Sequence, residues 1–474
     1  MSKKILSNSV YKSAEIITTQ GVQLLFSIAL ARILSPADFG VFALVMITTQ
    51  ICCSVITSGM AMAIIQKDVV TEKQKSTTFY ILLGVSLLVY IILFLFRIEI
   101  STIFGNDKIA ELIPFAGIIV ITTALGQVSN SLIIKSMKFK LIFKINIISL
   151  ILSSFITILI ALKGGGVWSL IFQQVILTSL KSILSLFFGD WRPKLKFEIR
   201  SVSDLYSFGK NLTISNIIGT LFNNLYTFII GRNYSVEVLG FYNRGKQFPS
   251  VLVTLFSGVI SSVIFPILSR AKSDKYTFKN ILSDSIDYVY ILYVPLAVVL
   301  YFCSESIILF IFTEKWLPVV PFMKLMVINY LFLPLQGVLA EGINALGRTD
   351  LFLKIEIFKK VALISVLFFS IEFGLIGVIY GQIFISSLSA FVNYYAVRNV
   401  LNCKLDLAVL GVIFNVLICF LLGLAVFDFI SGYISTGIVF VVLYSILFLC
   451  LYFVYVLIFR KEMLIKVMAL RWAA

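Results

Sequence analysis

The strongest constraint on this chain is a repeated one. Apolar runs of twenty or more residues follow each other from end to end, separated by short polar breaks. About 20 apolar residues cross the hydrocarbon core of a bilayer as a helix. Roughly fourteen such runs can be read, starting with about 11–34, 39–66 and 77–97 and closing with about 407–427 and 434–459. They are too long for membrane strands and lack two-residue alternation, so they predict helices. Composition agrees: 60% of the 474 residues are hydrophobic and 13% are charged, against about 25% charged in a soluble domain. A soluble enzyme, a disordered chain and a fibre are excluded. The expected fold is an all-α polytopic membrane protein with about fourteen transmembrane helices.

Absent residue types narrow the chemistry. The chain has no histidine, which removes His-based zinc sites, Ser-His or Cys-His pairs and His proton relays. The six cysteines, Cys52, Cys53, Cys303, Cys403, Cys419 and Cys450, fall mostly in apolar runs with no metal or redox spacing, and read as small hydrophobes. No cofactor and no metal are expected. The formal charge of +16 fits basic loops facing an anionic cytoplasmic leaflet better than nucleic acid, which is not expected as a partner.

Those basic residues orient the chain. With the N-terminus inside, inner segments hold 29 of the 39 Lys and Arg, outer segments hold 8, and Lys181 and Lys324 fall within runs. The bias predicts both termini in the cytoplasm, which an even helix count satisfies. No cleavage pattern follows Lys3 and Lys4, so the first helix is expected to be retained. The longest polar stretch, near Asp190–Asp204, is too short for a soluble domain. Function is therefore expected to reside in the helices.

A weak duplication organises them. Arg32-Ile-Leu-Ser35-Pro-Ala-Asp38-Phe-Gly40-Val-Phe42 is echoed by Arg232-Asn-Tyr-Ser235-Val-Glu237-Val-Leu-Gly240-Phe-Tyr242. Lys138-Phe-Lys-Leu141 through Ile145 is echoed by Arg348-Thr-Asp-Leu351 through Ile355, and Gly166-Val167 by Gly377-Val378. The simplest account is two six-helix bundles in one orientation, over 1–200 and 201–400, with two further helices and a cytoplasmic tail over 401–474. Two such halves can rock about a midplane site and give alternating access.

A charge at the bilayer centre costs about 2.5–3.5 kcal/mol on insertion scales, so charges in or near the runs are candidates. Lys181, Lys246 and Lys324 suit snorkelling. Arg32, Arg232 and Arg244, near outer helix ends, suit either a phosphate-binding cavity or a turn partner for Asp38 or Glu237. Lys12 and Glu15 stand three apart and suit an ion pair. Glu341 cannot snorkel and leans towards function. Many amides fall within runs. Helix-to-helix hydrogen bonding is their ordinary role, and a wet cavity tolerant of sugar hydroxyls is the sharper one, with Asn223, Asn224 and Tyr226 on the seventh helix its best candidates. Lys163-Gly-Gly-Gly166 lacks the Lys-Ser/Thr of a nucleotide loop and reads as a tight helix turn. Asn211-Leu-Thr213 matches a glycosylation acceptor on the inner side and carries no meaning there.

Taken together, Gln20-Gly21, Leu30 through Gly40, Ala63-Ile-Ile-Gln66, Trp191-Arg-Pro-Lys-Leu-Lys196, Ser207-Phe-Gly-Lys210, Asn224-Leu-Tyr226, Gly240-Phe-Tyr-Asn-Arg244, Phe265-Pro-Ile-Leu268, Glu314-Lys-Trp-Leu-Pro318 and Gly347 through Lys354 resemble the polysaccharide transporter family. These are Wzx-type flippases, in the superfamily that holds the MATE exporters and the lipid II flippase. The resemblance is collinear from about residue 5 to about 400, and the last two runs match by hydropathy alone. Gly164-Gly165-Gly166 departs from it, since relatives usually have a bulkier residue between glycines. The resemblance implies a MATE-like fold in the bacterial cytoplasmic membrane. It implies translocation of an undecaprenyl-pyrophosphate-linked oligosaccharide for surface polysaccharide, not an enzymatic reaction. It points to Arg32 and Arg244 for the pyrophosphate, with Lys12 and Lys210 meeting it on the inner side. Glu341 or Glu15 would serve any ion coupling. Membrane lipid, the lipid-linked oligosaccharide and other export proteins are the implied partners, and a single chain already supplies both halves. The rival readings are a MATE-type exporter of small molecules or cations, which predicts intramembrane acids, and a membrane polymerase or glycosyltransferase, which predicts a large outer loop.

Overall fold

The computed structural model describes residues 2–57, 59–401, 406–434 and 437–460, with side chains from residue 18 onward except 259, 262 and 406–408. The side chains of Lys12, Glu15, Cys403, Lys404, Lys461, Lys466 and Arg471 lie outside the described residues. Every regular element among the described residues is helical. The chain divides into two compact units, Met1–Asn243 and Arg244–Ala474. The division falls beyond residue 200 because the helix there packs against its predecessors.

The first unit holds α1 (Ser2–Ile33), α2 (Pro36–Thr57), α3 (Met60–Gln66), α4 (Glu72–Leu95), α5 (Arg97–Phe104), α6 (Lys108–Lys135), α7 (Phe139–Leu162), α8 (Val167–Phe188), α9 (Ser203–Asn233) and most of α10 (Val236–Gly245). At its centre α6 packs on α8, α4 and α2. Small residues make the close approach possible, as expected where lipid offers no hydrophobic drive. A methyl on Gly126 would stand 2.7 Å from Ser182 Cα. Ser182 Oγ donates to Thr122 O at 2.5 Å, and Ser129 Oγ to Ser185 O at 2.5 Å. Gly164 and Gly166, at φ +82° and +50°, turn the chain between α7 and α8, as expected of the triple glycine.

The long α9 lies antiparallel along α2 and α3, with Gly231 on Leu44, Asn224 on Gln50 and Gly209 on Gly59. The polar connection before it is strapped to the start of α4. Gln74 Nε2 donates to Ser201 O at 2.8 Å, Glu198 N to Thr77 Oγ1 at 3.0 Å and Lys194 N to Ser76 Oγ at 3.3 Å. Trp191 is buried edge-on to Phe79.

The second unit holds α11 (Gln247–Val259), a π-helical turn (Ile260–Ile264), α12 (Phe265–Arg270), α13 (Lys275–Phe302), α14 (Ser304–Ile311), α15 (Val319–Tyr330), α16 (Leu333–Ala345), α17 (Thr349–Ile371), α18 (Gly374–Leu401), α19 (Asp406–Ser431) and α20 (Ile438–Phe459). The last two helices pack on α13 and α14. A stacked file of Phe440, Tyr444, Phe448 and Tyr452 runs down α20, and Tyr452 OH donates to Ile291 O at 3.0 Å. The break between α15 and α16, ahead of Pro334, leaves backbone carbonyls free. Tyr293 OH satisfies Tyr330 O at 3.0 Å, and Tyr290 OH satisfies Leu331 O at 2.6 Å.

Ten helices among the described residues are long and apolar enough to cross a membrane. Large apolar side chains such as Phe155, Phe391, Phe414 and Phe453 are exposed on them, which suits lipid and not water. The chain is a multi-pass membrane protein. Four of the expected runs form helices outside those ten, the first of them as α1. α9 is polar along one face, the eighth run is broken into α10, α11, the π-turn and α12, and α17 carries Lys354, Glu356, Lys359 and Lys360. Among the five described cysteines, Cys303 and Cys419 are buried, Cys52 and Cys53 half-buried and Cys450 exposed.

Candidate functional site

The echoed segments meet in space. Gly40 of α2 presses on the carbonyl of Val236, where an added Cβ would stand 1.6 Å from the oxygen. Gly240 of α10 presses on the carbonyl of Pro36, where an added Cβ would stand 2.0 Å away. Each repeated glycine thus seats the first turn of the other helix. Arg32, in the last turn of α1, and Arg232, in the last turn of α9, precede these two first turns and flank one crossing. Both are exposed. Asp38 accepts from Ser35 N at 3.0 Å and Ser35 Oγ at 2.7 Å, capping α2.

Lys210 stands in the opposite half of α9, two turns from its start. It lies 22 residues from Arg232, about 33 Å at 1.5 Å per residue, close to the thickness of a hydrocarbon core. Asn223 lies between them and is exposed. Its neighbour Asn224 faces α2, donating to Thr220 O at 2.9 Å and Gln50 Oε1 at 3.4 Å. Tyr226 is buried, 8% exposed, and its hydroxyl has no hydrogen-bond partner among the described residues. The candidates in this unit therefore mark a line along one helix and do not converge on a point.

Arg244 is the first residue of the second unit and is 6% exposed. Its guanidinium lies 5.5 Å from the Phe312 ring and 5.6 Å from the Trp316 ring, and Nη1 donates to Gln247 Oε1 at 2.5 Å. Trp316 is fully buried, so the Glu314-Lys-Trp-Leu-Pro segment builds the aromatic wall beside Arg244. That pairing was not legible in spacing, because some seventy residues separate the two segments. Glu341 on α16 is half-buried and faces the π-helical turn, accepting from Ser261 Oγ at 3.2 Å and Asn344 Nδ2 at 3.5 Å. π-turns inside α-helices concentrate at functional positions, and nothing in the residue types of Ile260–Ile264 announces one.

Two cavities in the first unit were also beyond sequence reasoning. One, of about 490 Å³, lies among α6, α7 and α8 and is lined by Lys181, Gln127, Asn130, Asn146 and Thr178. The other, of about 640 Å³, lies beside α3, α4 and α9 and is lined by Arg200 and Lys210 above an apolar floor. Among the described residues no group of His, Cys, Asp and Glu is placed to hold a metal ion.

This architecture has close counterparts among solved structures. The lipid II flippase MurJ, in an inward closed conformation, superposes with a TM-score of 0.73 over 95% of this chain and 99% of that one, at 15% identity. The class is thereby defined: a polytopic, all-helical membrane protein with the fold of that flippase. The chain belongs to the polysaccharide biosynthesis protein family, whose model matches residues 29–321. Relatives include the teichuronic acid biosynthesis protein TuaB of Bacillus subtilis, 24% identical over 74% of this chain and 73% of its own. The lipopolysaccharide biosynthesis protein WzxC of Escherichia coli is 23% identical over 83% of this chain and 81% of its own.

Proposed function

We propose that this protein moves an undecaprenyl-pyrophosphate-linked oligosaccharide from the cytoplasmic to the outer leaflet of a bacterial cytoplasmic membrane, for assembly of a surface polysaccharide. It acts as a transporter, not an enzyme, by alternating access of two similarly oriented halves with about fourteen spanning helices. The observation that carries the reading is α9. In a chain otherwise rich in apolar helices, it exposes Asn216 and Asn223 on one face and carries Lys210 two turns from its start and Arg232 in its last turn. A polar head group cannot enter hydrocarbon unaided, since each unsatisfied polar group costs several kcal/mol. A helix of bilayer length with amides midway and cations on either side of them offers that head group a replacement for water. The reciprocal seating of Gly40 and Gly240 supports two related halves.

In this reading Arg32 and Arg232 receive the pyrophosphate near the outer ends, with Lys210 and Lys12 meeting it on the inner side and both termini cytoplasmic. Asn223 faces the sugars, with Asn224 and Tyr226 behind it on the side of α9 turned to the bundle. Arg244, buried beside Trp316, contributes its charge from within the helix bundle. Glu341, or Glu15, carries any ion coupling. The lipid-linked oligosaccharide is the partner, and one chain suffices. The test is a deletion strain complemented with wild type, Arg32→Gln or Arg232→Gln. Wild type should restore surface polysaccharide, while each variant, at normal protein level, should leave lipid-linked oligosaccharide in the inner leaflet. Full export by both variants would refute their role. A deletion that accumulates no such intermediate would refute the function.

A further inference from the structure

The cavity beside α3, α4 and α9 has an unusual division of chemistry. Its floor is apolar, with Met60, Ile81, Val85 and Ile214 reaching down between α4 and α9. Its rim carries two cations, Arg200 and Lys210, together with the hydroxyls of Ser203 and Tyr206. No ion pair or hydrogen bond engages either cation's head group among the described residues. No acid lines the cavity among the described residues, and nearby Asp204 is taken by Lys67 at 3.3 Å. Neighbouring basic residues are already matched: Lys73 with Glu198 at 2.9 Å, and Lys194 with Glu72 at 3.3 Å. The rim is held in place. The strap from Gln74 to Ser201 and from Glu198 to Thr77 fixes the turn that bears Arg200. Gly209 closes the back wall by backbone contact with Gly59, where an added Cβ would stand 2.5 Å from the Gly59 carbonyl carbon. Gly59 itself sits at φ +66°, a conformation natural only to glycine.

From Ser203 to Ile214 the helix rises about 16 Å, a length that accommodates a charged head group and the first part of an apolar tail. We infer that this pocket is the loading site for the substrate of the proposed function: it takes the pyrophosphate on Arg200 and Lys210 and the first isoprene units on the apolar floor. The inference rests on the flippase reading and names where the lipid is first held. Two unmatched cations favour a diphosphate over a singly charged phospholipid. Lys210 also lies two turns into α9, so a head group held there stands at the start of the line that leads through Asn223 to Arg232.

The test uses the full chain in phosphatidylcholine nanodiscs with undecaprenyl pyrophosphate as probe, bound lipid being counted by native mass spectrometry. Wild type should retain the probe. Arg200→Gln/Lys210→Gln should weaken retention about tenfold or more, and Ile214→Trp, which fills the floor without changing charge, should do the same. Arg200→Lys/Lys210→Arg should restore binding, which separates lost charge from lost folding. Lys140→Gln should bind as wild type does. Undiminished binding by both the double Gln variant and the Trp variant would overturn the loading site while leaving the flippase reading intact. Failure of wild type to bind the probe would count against that reading itself. Displacement of the probe by equimolar phosphatidylglycerol would make the pocket a general anionic-lipid site and also overturn the inference.

Discussion

The crossing of α2 and α10 makes a quantitative test of the packing. In Gly40→Ala the new methyl starts 1.6 Å from the Val236 oxygen, whereas non-bonded carbon contacts settle near ~3.5 Å. The obstacle is backbone in the first turn of a helix, so no side chain can swing aside. The two helices must part by roughly 2 Å, losing the contacts around Leu239 and Phe241. Overpacking a tight core costs about 1–3 kcal/mol, and a backbone obstacle belongs at the upper end. At about 3 kcal/mol, a unit of this size loses roughly 6–12 °C in melting temperature. Gly240→Ala, 2.0 Å from the Pro36 oxygen, should behave alike. Because one separation relieves both clashes, the double variant should cost well under the sum. Gly84→Ala, whose methyl meets nothing within 4 Å, is the control and should be neutral or slightly stabilising. Tryptophan-fluorescence melting in detergent reads all four. If Gly40→Ala and Gly240→Ala melt with Gly84→Ala, or if their effects simply add, the reciprocal seating is wrong.

Other expectations follow from single contacts. Trp316→Ala empties a fully buried position against Arg244 and Phe312 and should cost about 3–5 kcal/mol; Arg244→Lys, which loses the planar stack, should couple to it non-additively in a double-mutant melt. Tyr226→Phe removes a hydroxyl that is buried without a partner, so stability should hold or rise by about 1 kcal/mol; a fall in export at unchanged stability would place the hydroxyl on the sugar, and a fall in stability would contradict the burial argument. Asp274 caps α13, accepting from the Thr277 hydroxyl and from Tyr276 N at 3.0 Å, and these bonds, Thr277 first, hold its carboxyl below the usual range. A depressed folded value contributes stability above the unfolded value, near ~3.9, and loses it as pH falls through the folded one. The melting difference between wild type and Asp274→Ala should therefore be full at about pH 6 and close as pH falls through the depressed folded value; a difference that persists in strong acid would exclude the carboxylate as its source.

What residues alone determine here is what depends on local composition. Apolar runs of bilayer length dictate membrane helices wherever they occur, because no water is available to satisfy a backbone left open. The glycine triplet after α7 dictates a turn, since two of its residues take positive φ. The ordered motifs identify the family, and the 200-residue echo singles out Gly40 and Gly240 before any contact is seen. Tertiary structure decided what depends on partners far along the chain. It packed α9 with α2 and α3, within the compact unit Met1–Asn243. It buried Arg244 against Trp316 while leaving Arg32 and Arg232 exposed, although all three read alike as arginines near helix ends. It brought Arg200 and Lys210 to the rim of one cavity, and Glu341 to a π-turn eighty residues earlier. Hydropathy sums over neighbours in sequence, whereas burial and charge pairing depend on neighbours in space, and only folding brings those together.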